Sequence, residues 1–370
     1  MVIKVMALAL VLAAAVGGFF LLRSPARTVV LSPGGAISLA SPPQGGVLHV
    51  PEAEAPSSTE GTPSTTMAAP ASGRVIPAPI DIERQSPLPN PPTIVKAIYA
   101  TGWSAGSAQK MKYLTGLIER TELNGVVIDI KDFSGTVSYR TGLEEIRASG
   151  AEREIKIERP NALIKALHDK GIYVIGRVSV FQDPVLARAH PEWAMQYKAT
   201  GEVWADRKGL AWLDPAEKSV WKYNALLAQD ALARGFDEIN FDYIRFASDG
   251  DLGSISYPAW DGITPRRAVI SDFFEHLRNA LPGARISGDM FGLATVNADD
   301  LGIGQTIEDG YASFDYVSPM VYPSHYAAGF LGYANPAKFP YEVVKYSMEK
   351  ALARLRTMTI DYDNNNNSST

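Results

Sequence analysis

Two hydrophobic periods alternate along residues 93–356. Short runs that are apolar almost throughout read as strands buried on both faces. They fall at 94–100, 125–130, 172–180, 238–246, 285–291 and 316–322. Between them apolar residues recur at helical spacing, at 106–122, 160–170 and 215–234. After Thr264-Pro265, which read as N-cap and first turn, Ile270, Phe273, Phe274, Leu277 and Leu281 mark another helix. Pro340 opens a last helix with Val344, Met348, Leu352 and Leu355 predicted on its buried face. Gly171 and Gly235 stand where helix ends favour left-handed backbone. Strands alternating with helices predict βαβ units and a parallel sheet. No Gly-rich phosphate-binding turn follows any strand, so a nucleotide-binding doubly wound sheet lacks its cradle. A (β/α)8 TIM-type barrel fits better. Such a barrel has eight strands and the pattern supplies about six. Residues 357–370 form a low-complexity tail ending in a run of Asn, Ser and Thr. The expectation is an α/β barrel incomplete at its C-terminus, from a truncated chain.

The N-terminal quarter has a different character. Lys4 precedes an apolar run from 5 to 22, and Arg23 and Arg27 follow it. Residues 1–27 are expected to be a signal anchor that holds the protein on a bacterial cell membrane. A cleaved signal peptide, leaving a secreted or periplasmic protein, is the alternative. Residues 28–92 are rich in Pro, Ser and Ala without apolar periodicity, which predicts a disordered linker. The absence of cysteine excludes disulfides, thiolate metal sites and a Cys nucleophile. A net charge of −5 argues against a nucleic-acid partner. No His pair has i, i+4 spacing, and Asp299-Asp300 alone is not a site, so neither metal nor cofactor is expected.

Candidate chemistry comes from period two. In 238–246, Ile239, Phe241 and Tyr243 point one way, and Asn240 and Asp242 the other. Two polar groups in a pure core would cost several kcal/mol, so their strand end is a candidate site. The same count sends Asp129, Arg177, Asp289 and Tyr322 inward at the ends of other strands, where barrel active sites lie. Gly288 would allow close approach beside Asp289. Paired carboxylates from adjacent strands suit glycoside hydrolysis, one ionised and one protonated. Arg177 and Arg245 are the candidate positive neighbours. His325 sits in the loop behind Tyr322. The six Trp, Trp103 among them, are candidate sugar platforms, although tryptophans are more often core. Asp129 could instead belong to an ion-paired loop with Lys131 and Asp132. Glu308 and Asp309 read as solvated.

The segments 98–103, 127–132, 236–246 and 318–326 together resemble the putative glycosyl hydrolase domain family of exported bacterial proteins. That family is similar to the α-amylase-like barrel superfamily, and the resemblance covers about 94–356. It implies Asp242 as nucleophile, at the end of the fourth strand. It implies Asp289 as general acid, where α-amylase-like enzymes carry Glu. The third Asp of those enzymes lies beyond the last predicted strand. The reading is a glycosidase acting on a polysaccharide or oligosaccharide outside the cytoplasm. Catalytic candidates are Asp242, Asp289 and Asp129; substrate-binding candidates are Arg177, Asn240, Arg245, Tyr322, His325 and Trp103. The alternatives are a non-catalytic carbohydrate-binding or cell-envelope protein on a degenerate barrel, recognisable by an aromatic-lined groove with the carboxylates splayed apart or paired with arginines, and a metal hydrolase.

Overall fold

The computed structural model describes residues 81–367. Its strands are β1 (Ala97–Ala100), β2 (Gly125–Lys131), β3 (Tyr173–Ser179), β4 (Gln196–Tyr197), β5 (Glu238–Asp242), β6 (Ile255–Ser256), β7 (Ile286–Phe291) and β8 (Tyr316–Met320). Its helices are α1 (Gly102–Gly106), α2 (Ala108–Arg120), α3 (Glu144–Ala148), α4 (Pro160–His168), α5 (Pro184–Ala189), α6 (Lys218–Arg234), α7 (Arg266–Ala280), α8 (Ile307–Ser313) and α9 (Pro340–Asn367). Six strands form one sheet in the order β1-β2-β3-β5-β7-β8. Every pairing in it is parallel. β4 and β6 form a separate two-stranded antiparallel sheet. The six-stranded sheet is a half-barrel with β1 and β8 as its edges, the form of an incomplete TIM barrel.

The pleat divides each strand between two environments. Val126, Ile128, Ile130, Val174, Val178, Ile239, Phe241, Ile286 and Met290 join the helices in one large core. Ile164 and Leu167 of α4, Leu227 and Ala231 of α6, and Phe273, Phe274 and Leu277 of α7 meet them there. Gly288 belongs to this outer face. A Cβ on it would sit 2.5 Å from Phe314 Cε2, so glycine there admits a core ring and not a ligand. The concave face carries a small apolar cluster low down, Val95, Ala97, Val127, Tyr173 and Ile175. Above it the residues turn polar.

The structure moves several predicted boundaries. β5 stops at Asp242 rather than 246, because Tyr243 has φ of 53° and leaves the strand conformation. α7 starts at Arg266 with Pro265 as an extended N-cap, while the Thr264 hydroxyl bonds Asp261 Oδ2 at 2.8 Å instead of capping. α9 has the predicted period, with Leu355 packed against the core as expected and its earlier turns shifted in phase. Val343, Ser347 and Ala351 are buried, whereas Val344 and Leu352 are exposed. The small side chains let α9 lie close to the aromatic residues beneath it. Tyr311 donates to Ala351 O at 2.8 Å, and Tyr326 Oη lies 3.2 Å from Ser347 Oγ. The helix runs on to Asn367, through most of the expected tail. Glu308 and Asp309 are paired, with Arg354 and Arg267 respectively.

The last residues of the expected linker lie against the domain. Asp81 accepts from the Asn161 and Ala162 amides at the start of α4 (2.8 and 3.1 Å), and Gln85 N donates to Arg234 O at the end of α6. Among the described residues no helix is long and apolar enough to cross a membrane. The expected anchor at 1–27 lies outside the described residues.

Candidate active site

Parallel register assembles the polar residues. Asp129 stands opposite Arg177, Arg177 opposite Asn240, and Asn240 opposite Ser287. Phe241 is opposite Gly288, so Asp242 and Asp289 lie side by side one step further along. This is the C-terminal end of the strands, where barrel chemistry is placed. The residues border a cavity of about 90 Å³ whose lining includes Arg177, Asn240, Asp242, Asp289 and Tyr322. About 10–15 Å³ suffices for one water, so the cavity has room for more than one.

Arg177 is the hub. Its Nη1 donates to Asp129 Oδ1 at 2.7 Å, its Nη2 pairs with Asp242 Oδ2, and its Nε lies 3.8 Å from Asp289 Oδ2. Burial alone would lower its pKa, but Asp242, Asp129 and Asp289 together outweigh that and hold the guanidinium charged. Asp242 has both oxygens engaged, because Oδ1 accepts from the Tyr243 amide at 2.6 Å. That bond accompanies the left-handed turn of Tyr243, which ends β5 at this carboxylate. Asp129 also accepts from the Tyr99 hydroxyl, yet burial raises its pKa above the usual carboxylate range.

Asp289 has the opposite environment. Its side chain is 14% exposed, its Oδ1 accepts from Asn240 Nδ2 at 3.0 Å, and Arg177 stands off at 3.8 Å. Burial and then the charge of Asp242 push Asp289 up to about 8. Two neighbouring carboxylates therefore differ: one is ion-paired, and the other keeps its proton at neutral pH. Burial, with Asp289 and Asp242 nearby, pushes the Tyr322 phenol up to about 12, so it remains a donor.

The structure brings Asp129, Arg177, Asn240, Asp242, Asp289 and Tyr322 together. The remaining candidates lie elsewhere. Trp103 is 58% exposed on α1 and does not line the cavity. His325 is exposed, its ring 5.2 Å from that of Tyr322. Arg245 is buried away from the cavity. It donates to Phe246 O and Ser248 Oγ at 3.0 Å and lies over Trp212, 4.8 Å from the ring centroid. Trp204, Trp212 and Trp221 are core. Lys131 and Asp132, the proposed loop partners of Asp129, pair instead with Asp183 and Lys156. Sequence reasoning missed Glu238, Tyr99 and Ser287, all of which line the cavity. Period two was the available signal: Glu238 shares the face of Asn240 and Asp242, and Ser287 that of Asp289.

Residues 97–363 match the family described as "putative glycosyl hydrolase domain". The chain belongs to that family. No curated protein sequence matches the chain. Among solved structures, a hypothetical protein from Ruminiclostridium thermocellum is 37% identical, with a TM-score of 0.48 over 55% of this chain and 98% of that one. An α-galactosidase from Thermus thermophilus, solved with stachyose, is 16% identical, with a TM-score of 0.35 over 56% of this chain and 41% of that one. A maltogenic α-amylase from Thermotoga neapolitana is 14% identical, with a TM-score of 0.36 over 60% of this chain and 48% of that one. The family member described here thus spans less than half the length of those two enzymes.

Proposed function

We propose that the domain hydrolyses glycosidic bonds in a polysaccharide, with Asp242 as nucleophile and Asp289 as general acid and base. One observation carries this reading. Two adjacent carboxylates at the strand ends share one small cavity but have opposite environments, Asp242 ion-paired with Arg177 and Asp289 protonated by burial. In the first step an Asp242 oxygen bonds to the anomeric carbon while the bond to the leaving sugar breaks. The Asp289 proton passes to the leaving oxygen. In the second step water attacks the same carbon, its proton goes to Asp289, and the ester to Asp242 is released. This covalent route requires carboxyls about 5–5.5 Å apart and retains the anomeric configuration; about 6.5–9.5 Å would mean inversion. Tyr322 donates to a sugar hydroxyl, and Asn240 keeps Asp289 in place. Asp129 orients Arg177 from behind. The substrate lies outside the cytoplasm, and residues 1–27 tether the enzyme to the bacterial membrane.

One observation favours a second reading. Arg177 pairs with both Asp129 and Asp242, the arrangement expected of a carbohydrate-binding or envelope protein that performs no hydrolysis. Turnover on a panel of bacterial and plant polysaccharides separates the two. The catalytic reading expects new reducing ends from the wild type and at least a hundredfold less from Asp242→Asn and Asp289→Asn. Equal rates in all three remove the mechanism, and glycan binding without turnover establishes the second reading.

A further inference from the structure

Beneath the carboxylate pair lies a third carboxylate that the mechanism above does not use. Glu238 is 3% exposed at the start of β5 and borders the same cavity. Its Oε1 accepts from Ser287 Oγ at 2.6 Å, and its Oε2 from the Tyr173 hydroxyl at 3.1 Å. Ser287 Oγ is 3.1 Å from Asn240 Nδ2, the nitrogen that also donates to Asp289 Oδ1.

The donor inventory orders this chain. The Asn240 amide nitrogen carries two hydrogens, one for Ser287 and one for Asp289. Ser287 Oγ accepts the first, so its single hydrogen goes to Glu238. All bonds then run in one direction, from Asn240 through Ser287 to Glu238, and Asn240 cannot turn its amide over without breaking both of its own. Asp289 Oδ1 is thereby held against a fixed donor.

We propose that Glu238 is a positioning residue for Asp289: acting through Ser287, it fixes the Asn240 amide as a donor to Asp289 Oδ1, and its charge opposes ionisation of Asp289. This rests on the glycosidase reading only for its consequence in catalysis. Burial pushes Glu238 itself up to about 7, with Ser287 and Tyr173 pulling it down. Arg285 also favours the Glu238 carboxylate, and Asp315 opposes it. Asp289 faces Asp242, Arg177 and Tyr322 besides Glu238. Where Glu238 is ionised, its charge delays the loss of the Asp289 proton. An Asn amide does not relay protons, so the effect is orientation and field, not a proton wire.

The test reads Asp289 directly. Carboxyl-¹³C aspartate is incorporated into the full chain, the Asp289 resonance is assigned as the one missing in Asp289→Asn, and its titration is followed in wild type, Glu238→Gln and Ser287→Ala. Glu238→Gln keeps the shape and removes the charge. Its Asp289 midpoint should fall by about one pH unit. Ser287→Ala breaks the link and releases the Asn240 amide, whose bond favours the Asp289 carboxylate, so its midpoint should rise. If Glu238→Gln fails to fold, Ser287→Ala decides the matter. Midpoints within 0.3 of wild type in the folded variants overturn the proposal. The titration needs no substrate, so failure of the glycosidase reading appears separately, as absent turnover by the wild type. If turnover exists, the alkaline limb of kcat/KM must move with the carboxyl midpoint of each variant; a lower kcat of Glu238→Gln at an unmoved limb assigns Glu238 a packing role and also overturns the proposal.

Discussion

Replacing Arg177 with Met removes the one cation shared by three carboxylates while keeping a long side chain in its place. Arg177 is 15% exposed at its side chain, Asp129 3% and Asp242 8%, so solvent screens these pairs little. Deleting one partner of a buried ion pair costs about 3–5 kcal/mol, because the remaining charge is left without a counter-ion. Here two carboxylates lose their partner together, and Asp289 gains two uncompensated neighbours. The slight exposure allows some solvent relief, so we expect about 3–5 kcal/mol at pH 8 rather than twice that. The sign of the pH dependence follows from linkage. Burial already raises Asp129 and Arg177 offsets it, so without Arg177 the folded state opposes ionisation of Asp129 more than the unfolded chain does. The folded variant then binds protons more readily, and its deficit shrinks as pH falls. Urea denaturation of wild type and Arg177→Met at pH 8 and pH 5.5 measures both quantities. Adding Asp242→Asn to Arg177→Met should restore part of the loss. A deficit below about 1 kcal/mol at pH 8, or one equal at both pH values, refutes the view of Arg177 as the charge that holds this site together.

Three further outcomes can be checked in parallel. Asp289, raised to about 8 mainly by burial, acts with its proton on, so kcat/KM should fall as pH rises through about 8; a profile already falling near pH 5 assigns the acid elsewhere. Gly288→Ala puts a methyl 2.5 Å from Phe314 and should destabilise by about 1–3 kcal/mol, with Phe314→Leu restoring part of it; thermal unfolding of single and double variants decides. Trp103→Ala should change stability by no more than about 0.5 kcal/mol, since that ring is mostly in solvent; a larger loss in denaturation would mean that the ring is packed against the domain.

The site was legible where the pleat converts sequence into direction. Asp129, Arg177, Asn240, Asp242 and Asp289 each interrupt an apolar run, and alternation sends all five to the concave face. Glu238 obeys the same rule, but at the first position of its strand a charged residue reads as a boundary. Only the parallel register shows that Ser287 lies beside it. Other misses come from long-range partners. Glu308 and Asp309 look solvated until Arg354 and Arg267 arrive from 46 and 42 residues away. Arg245, three residues beyond Asp242, seemed placed to balance it, but the left-handed turn at Tyr243 sends it into an aromatic cluster instead. Nothing about a tyrosine encodes that turn; the bond from its amide to Asp242 accompanies it. In α9 the apolar period was right and Leu355 packs as expected, but Tyr311 and Tyr326 contact small residues, Ala351 and Ser347, that an apolar count passes over.

The account rests on different tasks for two neighbouring carboxylates, and leaving-group chemistry separates them. Hydrolysis of a polysaccharide substrate and of an activated aryl glycoside of the same sugar should be compared in wild type, Asp289→Asn and Asp242→Asn. An activated leaving group departs without a proton. Asp289→Asn should therefore lose about 10²–10⁴-fold on the polysaccharide and far less on the aryl glycoside, while Asp242→Asn loses turnover on both. Equal losses for the two variants on both substrates, or no loss in either, would contradict the assignment.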